Sequence, residues 1–249
     1  MIGGADGRGD WGVCDPADFH NIRTRASILI EGRGSGQGAL LVDTSPDMRA
    51  QMLACGVRRV DAIVYTHAHA DHISGLDDVR LLNRVVDRPI DAFATQATLD
   101  QLMTRFDYAF RPWQPPGFFR PVMVPRAVLP GDSIVAAGMT VSLIDQDHGF
   151  TRSLGLRVGK FAYSTDAVEL GEEGFAALAG LDTWVVGCFQ RMPHRTHAWL
   201  DRVLDWSARL RPRRTILTHM GVDMDWATLV RQLPPGVEPG HDGMVLEVD

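Results

Sequence analysis

Ala62-Ile63-Val64-Tyr65-Thr66-His67-Ala68-His69-Ala70-Asp71-His72 is the stretch on which the fold turns. Its apolar opening, Ala62–Tyr65, reads as a buried strand. At an extended strand end, residues two apart point the same way, so His67 and His69 face one point. Asp71 and His72 are neighbours, so the chain must turn for both to join them. Imidazole nitrogens and carboxylate oxygens are the ligands of zinc and of similar divalent metals. H-x-H-x-D-H directly after a strand is denser and more ordered than a polar turn that holds histidines by chance.

Composition narrows the function classes. The chain has 249 residues, 45% of them apolar, enough for a full core. Lys plus Arg number 25 and Asp plus Glu 31, a net charge of −6. That balance argues against an extended nucleic-acid interface, which needs a basic face. A small anionic substrate stays open, because bound cations supply local positive charge. Cys14, Cys55 and Cys188 form no C-x-x-C pair and no disulfide framework, so a reducing, cytoplasmic setting is expected. No apolar stretch reaches the length of a membrane span, and the polar, glycine-rich start is no signal peptide. No tandem repeat or low-complexity linker divides the chain, so a single domain over residues 1–249 is expected.

Outward from the histidines the pattern alternates strand and helix. Residues 26–31 and 38–43 flank the Gly/Ser-rich turn at 32–37 and read as a hairpin. Ser45-Pro46 predicts a helix N-terminus, with Ser45 as cap, and Gly56 its end. A helix over 76–86, a strand over 90–94 and a helix over 96–105 follow, as a layered α/β protein requires. Residues 106–126 break the pattern with Phe106, Tyr108, Phe110, Trp113, Phe118 and Phe119 among five prolines. Such a segment reads as an irregular loop: a wall over the active site, a contact between subunits, or a satellite apolar cluster. A strand over 141–144 runs into Asp145-Gln146-Asp147-His148-Gly149. Residues 154–158 and 161–165 form a second hairpin that ends at Asp166, a carboxylate costly to bury unless paired or metal-bound. A short helix (175–178), a buried strand (183–187), a helix capped by Thr196 with His197 in its first turn, and a strand over 214–218 ending at His219 come next. A terminal helix over 225–233 and a closing strand over 243–248 complete the chain. Cys14 and Cys188 read as small buried hydrophobes.

Residues 66–72 resemble the H-x-H-x-D-H signature of the metallo-β-lactamase fold hydrolases. The continuation Ile73-Ser74-Gly75-Leu76-Asp77-Asp78-Val79-Arg80 is similar to the subgroup of the phosphoribosyl cyclic phosphodiesterases, the PhnP-like proteins. The tRNA 3′-processing endonucleases and the protein of pyrroloquinoline quinone biosynthesis are near relatives of that subgroup. The resemblance implies an αββα four-layer sandwich. It also implies an opening strand ahead of residue 25, which is not seen here, so the start is expected to be misassigned or clipped. Within that fold His148 matches the third histidine ligand, Asp166 the bridging carboxylate and His219 the last ligand. Asp43 stands where a carboxylate often supports a metal-bound histidine; a plain helix-start carboxylate is the competing reading.

The resemblance thus implies two divalent metal ions. His67, His69 and His148 would hold one, Asp71, His72 and His219 the other, with Asp166 shared. Zinc is the first choice and manganese the second. The implied reaction is attack of a bridging hydroxide on a small, cyclic phosphodiester, with Asp71 orienting the nucleophile and His197 protonating the leaving group. His194 is the rival of His197 and is otherwise expected to bind substrate. A homodimer and the absence of membrane or extended nucleic-acid partners complete the expectation. Alternatives are a thioester or lactone hydrolase, a tRNA 3′-processing enzyme, a redox protein like the quinone-biosynthesis relative, and a non-catalytic binding protein.

Overall fold

The apolar run ahead of the histidines forms the middle of a five-stranded sheet. In the computed structural model, which describes residues 10–112 and 122–248, its strands are β1 (Ile28–Glu31), β2 (Ala39–Val42), β3 (Ala62–Val64), β4 (Ile90–Thr95) and β5 (Met123–Val128), adjacent in that order. The β1–β2 hairpin is antiparallel, as the glycine-rich turn predicts, and the remaining pairs are parallel. β2 and β3 are buried along their whole length, as strands covered on both faces must be. Pro125 lies in β5, at the sheet edge, where a missing N–H costs no ladder bond.

The second sheet contains β6 (Ser133–Ala136), β7 (Met139–Asp147), β8 (Arg152–Val158), β9 (Phe161–Ser164), β10 (Thr183–Gly187), β11 (Arg214–Thr218) and β12 (Val237–Pro239). Its order is β12-β11-β10-β9-β8-β7-β6. β9 to β12 are parallel, and β8 runs against both β7 and β9. β7, β9, β10 and β11 therefore point one way and end on one edge, the place where α/β sheets carry their sites.

The chain divides into two compact units, Ser27–Val141 on the one hand and Met1–Ala26 with Ser142–Asp249 on the other. In the first, α1 (Met48–Ala54), α2 (Ala70–Ile73), α3 (Val79–Val86), α4 (Gln96–Arg105) and α5 (Asp107–Phe110) accompany the sheet. Its core gathers Ile63, Tyr65, Leu76, Leu99 and Leu102. In the second, α6 (Glu172–Ala177), α7 (Leu200–Leu210) and α8 (Trp226–Gln232) surround a core of Trp184, Val186, Val203, Trp206 and Leu217. No helix among the described residues is long and apolar enough to cross a membrane.

Several expectations change in detail. α1 starts at Met48 behind Asp47, not at Ser45-Pro46; the Ser45 hydroxyl instead accepts from the Asp47 N–H, an Asx-like turn that delays the helix. Gly56 does follow the helix end, at φ +66°. The helix expected over 76–86 opens with a 3-10 turn, Leu76–Asp78. Gly75 ahead of it has no alternative, since a Cβ there would lie 2.0 Å from the Ser45 carbonyl oxygen. The irregular segment at 106–126 is regular at both described ends, as α5 and β5; Trp113, Phe118 and Phe119 lie outside the described residues. The closing strand over 243–248 does not form. β12 takes the edge beside β11, and Val245 is left exposed.

The leading segment is tied to the second unit through Asp225. Its carboxylate accepts from the Asp15 N–H (3.2 Å), Asn21 Nδ2 (2.9 Å) and, as N-cap of α8, the Thr228 N–H (2.9 Å). Burial pushes this carboxyl up, but these hydrogen bonds outweigh it and hold it at about 2. A depressed carboxyl contributes stability above its unfolded value and loses it as pH falls through the folded one. Asp225→Ala is therefore expected to lower unfolding free energy at pH 7 by about 1–2 kcal/mol, the worth of a good cap. The gap to wild type should close between about pH 4 and pH 2. Urea titrations at pH 7, 3.5 and 2.5 measure it, and a gap that stays constant with pH would refute the assignment.

Candidate functional site

In the first unit the donors follow β3. α2 starts immediately after His69, so Asp71 and His72 sit in its single turn and the chain reverses as the sequence requires. The ring of His67 lies 4.5 Å from that of His69 and 4.3 Å from that of His72. His67 and His72 are buried, Asp71 is half-buried and His69 is exposed. Arg105, at the end of α4, donates to the Ala68 carbonyl (2.6 Å) and braces the loop between the two histidines.

Asp43 lies beneath this loop, fully buried, at φ +63°. It accepts the Thr66 N–H (2.8 Å), the Thr66 hydroxyl (2.8 Å) and His72 Nδ1–H (2.7 Å). Burial pushes its carboxyl up, against the pull of His72 and Thr66. α1 begins five residues later, and these three bonds come from Thr66 and His72, so Asp43 supports a histidine and does not serve a helix start. The bonds also fix tautomers. His72 gives its Nδ1 proton to Asp43, and the Thr66 hydroxyl, spent on Asp43, accepts from His67 Nδ1 (3.0 Å). Both rings then present an Nε2 lone pair, the form that binds metal.

In the second unit the strand edge carries His148 after β7, Asp166 after β9 and His219 after β11. All three are buried. Asp166 (φ +47°) and His219 (φ +53°) occupy left-handed backbone, a strain of the kind held at functional positions. The Ser153 hydroxyl donates to the Asp166 carbonyl (2.9 Å) and the Thr165 hydroxyl to its Oδ1 (2.7 Å). Three imidazoles converge on this carboxylate: His219 Nε2 at 3.2 Å from Oδ1, and His197 and His148 Nε2 at 3.3 and 3.4 Å from Oδ2. His148 Nδ1 donates to the Thr196 carbonyl (2.6 Å), so its Nε2 turns a lone pair toward carboxylate oxygen. Two acceptors facing each other in a buried place need a cation or a proton between them. In the first unit Asp71 Oδ2 and His72 Nε2 face each other at 3.5 Å in the same sense. The donors are of the kind that holds a divalent metal, and every one of the seven residues named from the sequence offers a donor atom to a candidate metal group.

His197 is not in a helix. α7 starts at Leu200 behind Trp199, and the hydroxyl of Thr196 is turned to His197 Nδ1 (2.8 Å) instead of to an amide of the helix. The His197 ring stacks on that of His219 (5.2 Å, 24°) and lies 4.9 Å from Phe189. His194 stands behind it, Nδ1 to Nδ1 at 3.3 Å. Burial and the nearby His197 lower the pKa of His194.

Residues 39–220 match the model of the beta-lactamase superfamily domain, a span that contains all seven donors. The chain belongs to the metallo-β-lactamase superfamily. A diphosphatase of the PhnP family is 33% identical, superposes with a TM-score of 0.83, and is matched over 92% of this chain and 85% of its own. Zinc-bound PqqB from Methylobacterium extorquens, at 17% identity and a TM-score of 0.74 over 91% of this chain and 88% of its own, shares the fold. An octanoyltransferase of Porphyromonas gingivalis is 31% identical over 242 residues, 95% of this chain but 47% of the relative. The chain thus spans about half the length of that curated relative.

The Thr-His pair that the resemblance marks at 218–219 has three counterparts. Thr66, Thr165, Thr196 and Thr218 each directly precede His67, Asp166, His197 or His219. The hydroxyls of the first three bond the side chain that follows. In three of the four pairs the threonine thus holds the orientation of the side chain that follows it.

Proposed function

We propose that this metallo-β-lactamase-superfamily protein hydrolyses a small, cyclic phosphodiester with two divalent metal ions, zinc before manganese. His67, His69 and His148 would hold one ion, Asp71, His72 and His219 the other, with Asp166 common to both. When bound, the ions would supply water ionised near neutral pH and offset the charge on the non-bridging phosphate oxygens. They also reconcile an anionic substrate with a chain of net charge −6. The chain's own groups do the rest. Asp71 accepts a hydrogen bond from the nucleophile and aligns it. His197 gives the proton on Nε2 to the leaving alkoxide. His194 supports substrate binding from behind His197.

The observation that carries this reading is His197. Of the three imidazoles around Asp166 it alone is half-exposed, while His148 and His219 are buried. Partial exposure is what a group that meets substrate needs. The 33%-identical diphosphatase supports phosphorus as the centre attacked. His197→Ala is expected to keep its metal content and to lose at least ~100-fold in turnover, the usual worth of a positioned general acid. Elemental analysis, followed by turnover of cyclic ribose phosphates, whose alkoxide leaving group needs the proton, makes the test; bis(p-nitrophenyl) phosphate, whose p-nitrophenolate leaves without one, serves as the control that should change little. Unchanged turnover of the cyclic ribose phosphates removes His197 from the scheme.

The octanoyltransferase relative favours one other reading, hydrolysis of an acyl thioester on the same donors. An octanoyl thioester in the same assay separates the two.

A further inference from the structure

The β7–β8 hairpin turns through four residues, His148–Thr151, and its backbone is pinned. The His148 N–H donates to the Thr151 carbonyl (3.0 Å), the Phe150 N–H to the His148 carbonyl (3.1 Å) and the Gly149 N–H to Asp147 Oδ1 (2.6 Å). This loop buries His148 and holds Phe150 out. At 88% exposure Phe150 is the most exposed large apolar side chain among the described residues. The loop that carries His194 and His197 meets the hairpin at Gly149. A Cβ there, at φ +77°, would come within 2.8 Å of the Arg195 carbonyl oxygen and of Thr196 Cγ2. Phe150 and Arg195 thus flank the contact between the two loops, whose His148 and His197 rings lie 4.8 Å apart.

Arg195 is exposed, and its guanidinium has no hydrogen bond or ion pair among the described residues. Of the other arginines between 142 and 249 only Arg211 shares that state, and it stands between α7 and the start of β11, away from the strand ends that carry the site. The rest give their guanidinium to a carboxylate, a carbonyl or another side-chain oxygen.

A lone exposed ring needs no explanation on a plain surface. Here an open aromatic face and an unspent guanidinium stand together, one on each of the two loops that supply His148 and His197. The ring face stacks on a planar aromatic group. The guanidinium donates to acceptors along the edge of such a group, as it does to base edges. A loop held by its own bonds is ordered before the ligand arrives, so less entropy is lost on binding. The ligand that fits is flat, aromatic and rich in acceptors, which describes a nucleobase.

We infer that Phe150 and Arg195 form a subsite beside His197 that takes a nucleobase on the alcohol side of the scissile phosphate, so that the substrate is a nucleoside cyclic phosphate. The inference rests on the phosphodiester reading given under Proposed function and narrows its substrate class. A mononucleotide, not a nucleic-acid strand, suits a chain of net charge −6.

The test compares adenosine 2′,3′-cyclic phosphate with the 2,3-cyclic phosphate of methyl riboside, which has the same phosphate ring and no base. In the wild type, kcat/KM for the adenosine diester should exceed that for the riboside by ~10–100-fold, the worth of a stacked base. Phe150→Ala and Arg195→Ala should each lower this ratio by at least about fivefold, and Phe150→Tyr, which keeps an aromatic face, should restore most of it. Metal content is measured alongside, so that a damaged centre is told from a lost subsite. A wild-type ratio near one, or a ratio unmoved by Phe150→Ala, overturns the inference. Equal falls with both diesters in Arg195→Ala would put the guanidinium on the phosphate and overturn it as well. If neither diester is turned over, the phosphodiester reading fails by itself, and equilibrium dialysis of adenosine 3′-phosphate against ribose 3-phosphate decides the subsite. A preference for the nucleotide that Phe150→Ala abolishes upholds it; equal binding overturns it.

Discussion

Asp166→Asn is expected to fold and to lose metal, retaining at most one equivalent where the wild type retains two, with turnover down by at least ~1000-fold. The argument is local. Three imidazole nitrogens lie within 3.2–3.4 Å of the two Asp166 oxygens, so this carboxylate is the negative charge that balances any cation placed among them. Asparagine keeps the outline and tolerates the left-handed backbone at φ +47°, so the fold should survive. The charge is gone, and an amide N–H₂ would face a lone pair or a metal. Asp166→Ala adds a backbone cost of about 1–2 kcal/mol, because alanine does not favour that conformation. Comparing the two variants separates loss of charge from strain. Elemental analysis after dialysis, with thermal unfolding in EDTA, gives both quantities. Two equivalents retained by the asparagine variant would remove Asp166 as a shared ligand.

Why the strand-end donors were legible from sequence is physical. A strand buried on both faces must be a continuous apolar run, and a polar residue at its end marks where burial stops. Thr183–Gly187 and Arg214–Thr218 fall within the boundaries their composition predicts. His67, Asp166 and His219 are the first ionisable residues after such runs. What was not legible depends on partners distant in sequence. Thr196 reads as a helix cap because a threonine ahead of Leu200, Val203 and Leu204 has that pattern. Its hydroxyl went to two imidazoles instead, and the helix begins at Leu200 with no side-chain cap. Ser45-Pro46 misled in the same way, through a local bond to Asp47. Residues 243–248 alternate like a strand, but the chain pairs Val237–Pro239 with β11 instead, a choice set by partners distant in sequence.

Asp43 shows the same dependence on distant partners, and its removal should have the second large effect. Asp43→Ala leaves two N–H groups and a hydroxyl, from Thr66 and His72, without their acceptor at a position with no solvent access. Removing one partner of a buried charge-assisted cluster costs about 3–5 kcal/mol. Metal affinity should fall by about 10–100-fold, because His72 is then free to rotate and its Nε2 lone pair is no longer fixed. Asparagine at this position tolerates φ +63° and still offers one oxygen, but its N–H₂ must face one of the three donors. Asp43→Asn should therefore lose less, about 2 kcal/mol, most of it from that one opposed pair. Urea unfolding in EDTA reads the stability, and zinc competition against a chelator reads the affinity. Metal affinity within twofold of wild type in the alanine variant would reduce Asp43 to a buried turn residue. A loss of affinity larger than the loss of stability explains would instead mean that the Asp43–His72 bond sets the ligand itself, so that a residue touching no metal governs how firmly one is held.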